Sequence, residues 1–276
     1  MYNRIANQFE GFLNTPSIFK NSNFAGFTLF KWLNRISDTT SNPIFEKEFS
    51  KNLVLGKRVE YFFLLAIKAS PEYELIANNI QINDENRTLG ELDFIVKNLK
   101  TSKVLHIELM YKFYVYDPEF LQEMERWIGP NRKDSLLQKI EKVKTNQFPL
   151  LHTSETKKYL SSLDLSSEDI EQQLYFKATL FIPEKFMNKE FPNINKQSIA
   201  GYWYHLEDFS KFDRSDLKFY APEKQDWPID PKFGEIWVDF KEITDQIGEL
   251  HLKKKSPLIW VKKHNGIFER LIIVWW

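Results

Sequence analysis

The chain has 276 residues, 38 basic and 38 acidic side chains, and no cysteine. That length allows one large α/β domain. The charge balance excludes a surface coated in basic residues, and the missing cysteine excludes disulfides, thiolate zinc sites and cysteine nucleophiles together. Hydrophobic residues at 42% and charged residues at 28% describe a globular chain rather than a disordered one. The first twenty residues carry no signal-peptide pattern, and no run of about 18 apolar residues occurs, so the expectation is a cytoplasmic protein with no membrane partner.

In chain order, residues 1–36 read as helical pieces broken by "NTPS" and "NSN", followed by a polar loop, "SDTTSNP" (37–43). Residues 55–70 read as a strong helix: Val59, Phe62, Phe63, Ala66 and Ile67 recur at helical spacing, and Ser70-Pro71 ends it. "YELIANNIQIN" (73–83) reads as a strand or strand pair, and "TLGELDFIVKN" (88–98) and "KVLHIELMYKFYVY" (103–116) as two more, joined by a polar turn. Residues 117–127 read as irregular or a short helix. Residues 129–147 read as a second helix with Leu136, Leu137, Ile140 and Val143 on its apolar side, and a further helix is expected near "SSEDIEQQL" (166–174). From about 174 the pattern is β, with "LYFKATLFIP", "SIAGYWYHL", "DLKFYAP", "SPLIWVKK" and "FERLIIVWW" as short strands. Helix, three strands, helix and more strands predict an α/β (α+β) fold, a mixed sheet with helices packed on it.

The two central strands carry acids where apolar residues are expected. Side chains alternate along a strand, so Glu91, Asp93 and Ile95 share one face, and His106, Glu108, Met110 and Lys112 share another. If the strands pair as a hairpin, Asp93 and Glu108 point the same way. Neighbouring, partly buried carboxylates repel and are poorly solvated, and a divalent cation resolves both problems. Mg²⁺ or Mn²⁺ held by Asp93 and Glu108 would suit phosphoryl chemistry. Glu60 lies on or beside the buried face of the first helix, and Lys112 would stabilise charge on a phosphate. Each residue also has a plain structural reading. A half-exposed sheet face carries polar residues, Glu and Lys pair across strands, Glu60 can join a surface network with Lys57 or Arg58, and His106 alone is a core group.

The motifs "RTLGELDF" (87–94), "HIELMYKFY" (106–114) and "IGPNRKDSLLQKIEKVKTNQFPL" (128–150) resemble family number eighteen-fifty-three among the bacterial domains of unknown function. The order of Glu60, Asp93 and Glu108 also resembles the PD-(D/E)XK nuclease-like superfamily, in which a helix, three strands, a helix and a further strand form a restriction-endonuclease-like core. The resemblance implies a core over 50–150, with residues 174–276 adding strands to one domain. It adds Asp134 and Lys139 to the site candidates as flanking groups, with Glu91 and His106 steadying the ligands. The superfamily lysine falls two residues after the acid, where this chain has Met110, and Lys112 is two residues further on.

The expected function is metal-dependent hydrolysis of phosphodiesters in nucleic acid, with Asp93, Glu108, Lys112 and Glu60 catalytic. The alternative is a catalytically inactive nuclease fold that binds nucleic acid or protein. Residues 132–144 and 251–264 are locally basic, the latter with Trp260 interleaved. "GYWYHL" and the terminal "IIVWW" read as core or homodimer contacts rather than base platforms.

Overall fold

The computed structural model describes residues 2–32, 53–85, 87–211 and 216–276. The polar loop expected at 37–43 lies outside them. Helix α1 (Tyr2–Asn14) comes first. Helical pieces were expected in the rest of the described N-terminal segment, but it forms a small hairpin of β1 (Asn23–Phe24) and β2 (Phe27–Leu29). Its turn places Ala25 and Gly26 at positive φ, and β2 then pairs with a strand of the main sheet.

Helix α2 (Leu55–Ala69) keeps its predicted apolar stripe: Val59, Phe62, Phe63, Ala66 and Ile67 are all buried. It is followed by β3 (Tyr73–Asn83), β4 (Thr88–Asn98) and β5 (Val104–Tyr116), consecutive antiparallel neighbours. Strand β3 is one element, bent where its register shifts between Leu75 and Ala77. Residues 117–126 are turns, ending in the short β6 (Trp127–Ile128) that folds back on β5.

The second helix starts at Leu136, not near 129. Ser135 closes a capping box with Gln138, while Gly129 to Asp134 form a turn closed by the Gly129 N–H on the Asp134 carbonyl (2.7 Å). This helix, α3 (Leu136–Lys142), runs on through a π-helical turn (Val143–Gln147) into a final α segment (Phe148–Leu150). Helix α4 (Ser154–Ser161) follows, capped by Thr153. The helix expected at 166–174 is instead a single 3₁₀ turn leading into β7 (Ile170–Ile182). Partnering decides this: β7 lies parallel to β5 from Val104↔Ile170 to Val115↔Phe181, and that ladder outweighs the helical propensity of "SEDIEQQ".

Strands β8 (Ile199–His205), β9 (Lys218–Tyr220), β10 (Leu258–Lys262) and β11 (Phe268–Val274) fall where the sequence placed them. Two helices among them were not foreseen: α5 (Leu206–Ser210) and α6 (Phe240–Leu252), the latter capped by Asp239 and burying Ile243 and Ile247. The main path through the sheet is β3-β4-β5-β7-β8-β11-β10-β9, with parallel pairs between β5 and β7, β7 and β8, and β8 and β11.

The result is a large mixed sheet flanked by helices. Odd residues of β5 (Ile107, Phe113, Val115) join the cluster under α1 and α2, and even ones (Met110, Tyr114) the cluster under α3. The alternation predicted for β5 therefore holds. It fails in β4, where Leu92 packs with Ile95 under the α3 extension while Phe94 and Val96 face α2. No helix among the described residues is long and apolar enough to cross a membrane.

Candidate functional site

The acids sit where β4 parts from β5. The two strands pair only from Phe94↔Ile107 to Lys97↔Val104. One step further the register sets Asp93 opposite Glu108. There the Asp93 carboxylate, not a backbone carbonyl, accepts the Leu109 N–H (2.8 Å). Asp93 thus closes the ladder at the point of divergence, beside Glu108, and each of the two acids acts on the other's titration.

Glu108 is fully buried, as is His106 two residues before it. The His106 ring is held by Gln172 on β7, whose amide nitrogen donates to His106 Nδ1 (3.0 Å) and to the Phe148 carbonyl (2.9 Å). With Nδ1 accepting, the ring proton is on Nε2, which donates to Glu108 Oε1 at 2.9 Å. Burial lowers the His106 pKa to about 4, so this is a bond from a neutral imidazole rather than an ion pair. The second Glu108 oxygen accepts from the Gln147 amide. Gln147 ends the π-helical turn, and the extra residue of that turn aims it at the sheet. Its own Oε1 is buried without a hydrogen-bond partner.

Electrostatics make the pair unsettled. Burial, then the Glu108 charge, pushes Asp93 up to about 8. Burial likewise raises Glu108 to about 7, against the hydrogen bonds from Asp93 and the Lys142 charge. Four carboxylates gather here. Glu60, on the edge of α2, receives Lys57 Nζ (2.6 Å) and the Asn79 amide (3.4 Å), and its charge reaches Asp93. Glu91 lies 3.7 Å from the same Lys57, and its charge reaches Glu108. Lys57 is raised above its ordinary value, chiefly by Glu60. The network anticipated for Glu60 therefore exists through Lys57. Arg58 turns the other way, to Gln8 and the Leu53 carbonyl.

Asp93, Glu108, Glu60, Glu91 and His106 are thus brought together, while three other candidates are not. Lys112 Nζ lies 3.1 Å from Asp134 Oδ2, and Lys139 Nζ lies 3.5 Å from the same oxygen. These three form their own cluster, displaced from Glu108 by four strand residues, about 13 Å. Met110, two residues after Glu108, is 6% exposed and packed in the core, so that position offers no cation. The lysines whose charge reaches the pair are Lys57 and Lys142. Trp260, a candidate stacking residue in the sequence, is 2% exposed and belongs to the core. Gln147 and Gln172 were not singled out, and Lys57 only as a surface partner of Glu60. For Gln147 the "QFPL" motif was the available signal, but a π-helical turn has no sequence signature that would aim it at Glu108.

Among the described residues no group of three or more His, Asp or Glu side chains forms a ready metal cage. The donors nevertheless fit a hard cation. All are oxygens, two are carboxyls set opposite each other on neighbouring strands, and the buried Gln147 Oε1 lacks a partner. A sequence model for the family described as "Domain of unknown function (DUF1853)" matches residues 12–270. No curated protein and no solved structure matches the chain.

Proposed function

Because this chain belongs to the DUF1853 family, whose description names no activity, we propose a function from the site itself: metal-dependent phosphodiester hydrolysis in nucleic acid, of the PD-(D/E)XK type. The observation that carries it is the Asp93–Glu108 pair, a half-buried and a fully buried carboxyl set opposite each other, which retain a proton or accept a cation to stay together. The order α2, β3, β4, β5, α3, β7, with three antiparallel strands and a fourth parallel to the third, supports a restriction-endonuclease-like core.

Asp93 and Glu108 would hold Mg²⁺ or Mn²⁺, with Glu60 alongside. Such an ion supplies charge neutralisation at a phosphoryl oxygen and a bound water of lowered pKa. Leu109 N–H fixes the Asp93 carboxylate, and His106 and Gln147 fix the two oxygens of Glu108. Lys57, paired with Glu60 and 3.7 Å from Glu91, would be the cation beside the site in place of Lys112.

Calorimetric titration of Mn²⁺ into wild-type protein and into Glu108→Ala, both checked for folding, tests this. Saturable heat in the wild type that vanishes in the variant is expected, followed by Mn²⁺-dependent cleavage in a panel of DNA and RNA substrates. Equal heats in both proteins, or none in the wild type, overturn the metal site. The buried Met110 favours a second reading, a nuclease fold that binds without cutting. Mn²⁺ binding with no cleavage across the panel would select it.

A further inference from the structure

At the far end of β5, about 30 Å along the strand direction from Glu108, lies a cleft of about 660 Å³ lined by Asp117, Arg132, Trp203, His205 and Trp276 among others. Sequence alone assigned "GYWYHL" and the terminal "IIVWW" to core or dimer contacts. Trp203, Ile272, Ile273 and Val274 are indeed buried in the core, and Trp203, His205 and Trp276 also form one wall of the cleft. The rings of Trp203 and Trp276 lie 5.5 Å apart, and His205 lies 5.7 Å from Trp276. Trp276 is fixed by its indole N–H on the Pro130 carbonyl (2.9 Å), and Trp203 by its own on the Tyr116 carbonyl (2.9 Å).

Arg132 lies over this wall, its guanidinium carbon 3.6 Å from the centre of a Trp276 ring. One nitrogen donates to Asp117 Oδ2 at 2.9 Å, and Asp117 is 2% exposed. Arg132 has a φ of +54°, left-handed backbone that a residue with a Cβ rarely adopts. The loop accepts that strain, and the ring and the carboxylate hold the side chain in place. Yet 42% of the Arg132 side chain remains exposed. A planar group held on one side by an indole and open on the other is a surface on which a base can stack.

Charge separates what each part would take. In the cleft, Asp117 is matched by Arg132, Asp208 by Lys211 (2.8 Å), Glu184 accepts the Tyr204 hydroxyl (2.6 Å), and Glu119 and Lys185 add one charge of each sign. That suits a neutral heterocycle better than a phosphate. Beside the cleft, across the same 129–135 loop, Lys112 and Lys139 share one carboxylate oxygen of Asp134. Lys224 is lowered by burial and by the charges of Lys112 and Lys133, so the cluster is cationic in excess. Carboxyl pair, lysines and aromatic cleft follow one another along β5.

We propose that the Arg132–Trp276 stack is a base-binding platform for single-stranded nucleic acid, reached by a strand whose phosphates pass Lys112 and Lys139. This rests on the nucleic-acid reading of the carboxylate site. A duplex keeps its bases inside its own stack and gains nothing from such a platform.

The test is fluorescence anisotropy with a labelled short oligothymidylate and with its duplex, in chelator, over a range of salt. Arg132→Lys keeps the charge and removes the plane. It should weaken single-strand binding about tenfold, with little effect on the duplex. Lys112→Ala with Lys139→Ala should reduce the slope of log affinity against log salt by about 1.4, two phosphate contacts at about 0.7 each. Wild-type affinity in Arg132→Lys, or wild-type protein that does not prefer the single strand, overturns the platform. If Arg132→Lys fails to fold, tryptophan fluorescence of the wild type reads the same contact. Quenching by the oligonucleotide supports the platform, and no change overturns it. Neither readout uses metal or turnover, so failure of the platform leaves the Mn²⁺ heat intact, and failure of the metal site leaves the anisotropy intact.

Discussion

Asp93→Asn removes the half-buried carboxyl beside buried Glu108 while leaving an oxygen for the Leu109 N–H. In the wild type Asp93 is pushed up to about 8 and Glu108 to about 7, against ordinary values of 3.8 and 4.5. Between the ordinary and the raised values the folded chain holds protons that the unfolded chain has released. Stability therefore falls as pH rises, and the loss is complete above the raised values. His106 acts in the opposite sense. Lowered from 6.5 to about 4, it makes stability rise with pH across that interval. Above about pH 6.5 the His106 effect is spent; from there to about pH 8 the carboxyls cost the wild type about 2 kcal/mol, and Lys177, lowered to about 7 by burial, returns about 1 kcal/mol in both proteins. Asp93→Asn leaves only Glu108 of the pair titrating, worth about 1 kcal/mol, so the wild type should lose about 1 kcal/mol net and the variant almost nothing across this window. Urea unfolding of both proteins at the two pH values, in chelator, measures the difference. Adding Mn²⁺ at the higher pH should restore the wild type and not the variant, since the cation then takes the proton's place. Equal losses in the two proteins, or none in either, would refute the claim that Asp93 and Glu108 are a coupled pair.

Gln147→Ala should weaken Mn²⁺ binding about 10-fold to 100-fold by calorimetry, because it frees the Glu108 oxygen that Gln147 holds. Lys177, 8% exposed, donates to the Leu13 carbonyl at the end of α1 and is lowered to about 7 by burial. Below that pH both folded and unfolded states are charged and the burial penalty is full, and it shrinks toward the ordinary 10.5. Lys177→Met should therefore be stabilised by about 1–3 kcal/mol in urea unfolding at about pH 6, with the gain fading toward about pH 10. Gly201 pairs with Arg270, and a Cβ there would sit 1.9 Å from the Arg270 carbonyl oxygen. Gly201→Ala should lose about 3 kcal/mol or more on thermal unfolding, because backbone rather than a flexible side chain must move.

Local pattern carried far in this chain. The stripe of α2 and the alternation of β5 are visible because a buried helix face repeats every 3.6 residues and a strand face every 2, whatever lies opposite. The same alternation pointed to Asp93 and Glu108 as unlikely occupants of a buried sheet. Where pattern misled, a partner from elsewhere in the chain decided. "SEDIEQQ" favours helix by itself, but β5 requires a full-length parallel neighbour. Leu92 breaks the expected face of β4 because that strand is leaving β5. The start of α3 was displaced by the unusual 129–135 turn, in which Arg132 takes up a left-handed backbone.

The sequence by itself determined which acids the chain places in its sheet, and that its core is a mixed α/β arrangement. It could do so because residue type and period are local properties. Only the tertiary structure decided which groups meet those acids. Gln147 reaches Glu108 across 39 positions, Gln172 orients His106 across 66, and Lys112 is drawn off to Asp134 across 22. Such contacts depend on the register of β5 against β7 and on one extra residue in a helical turn, and neither is encoded in any short stretch of chain.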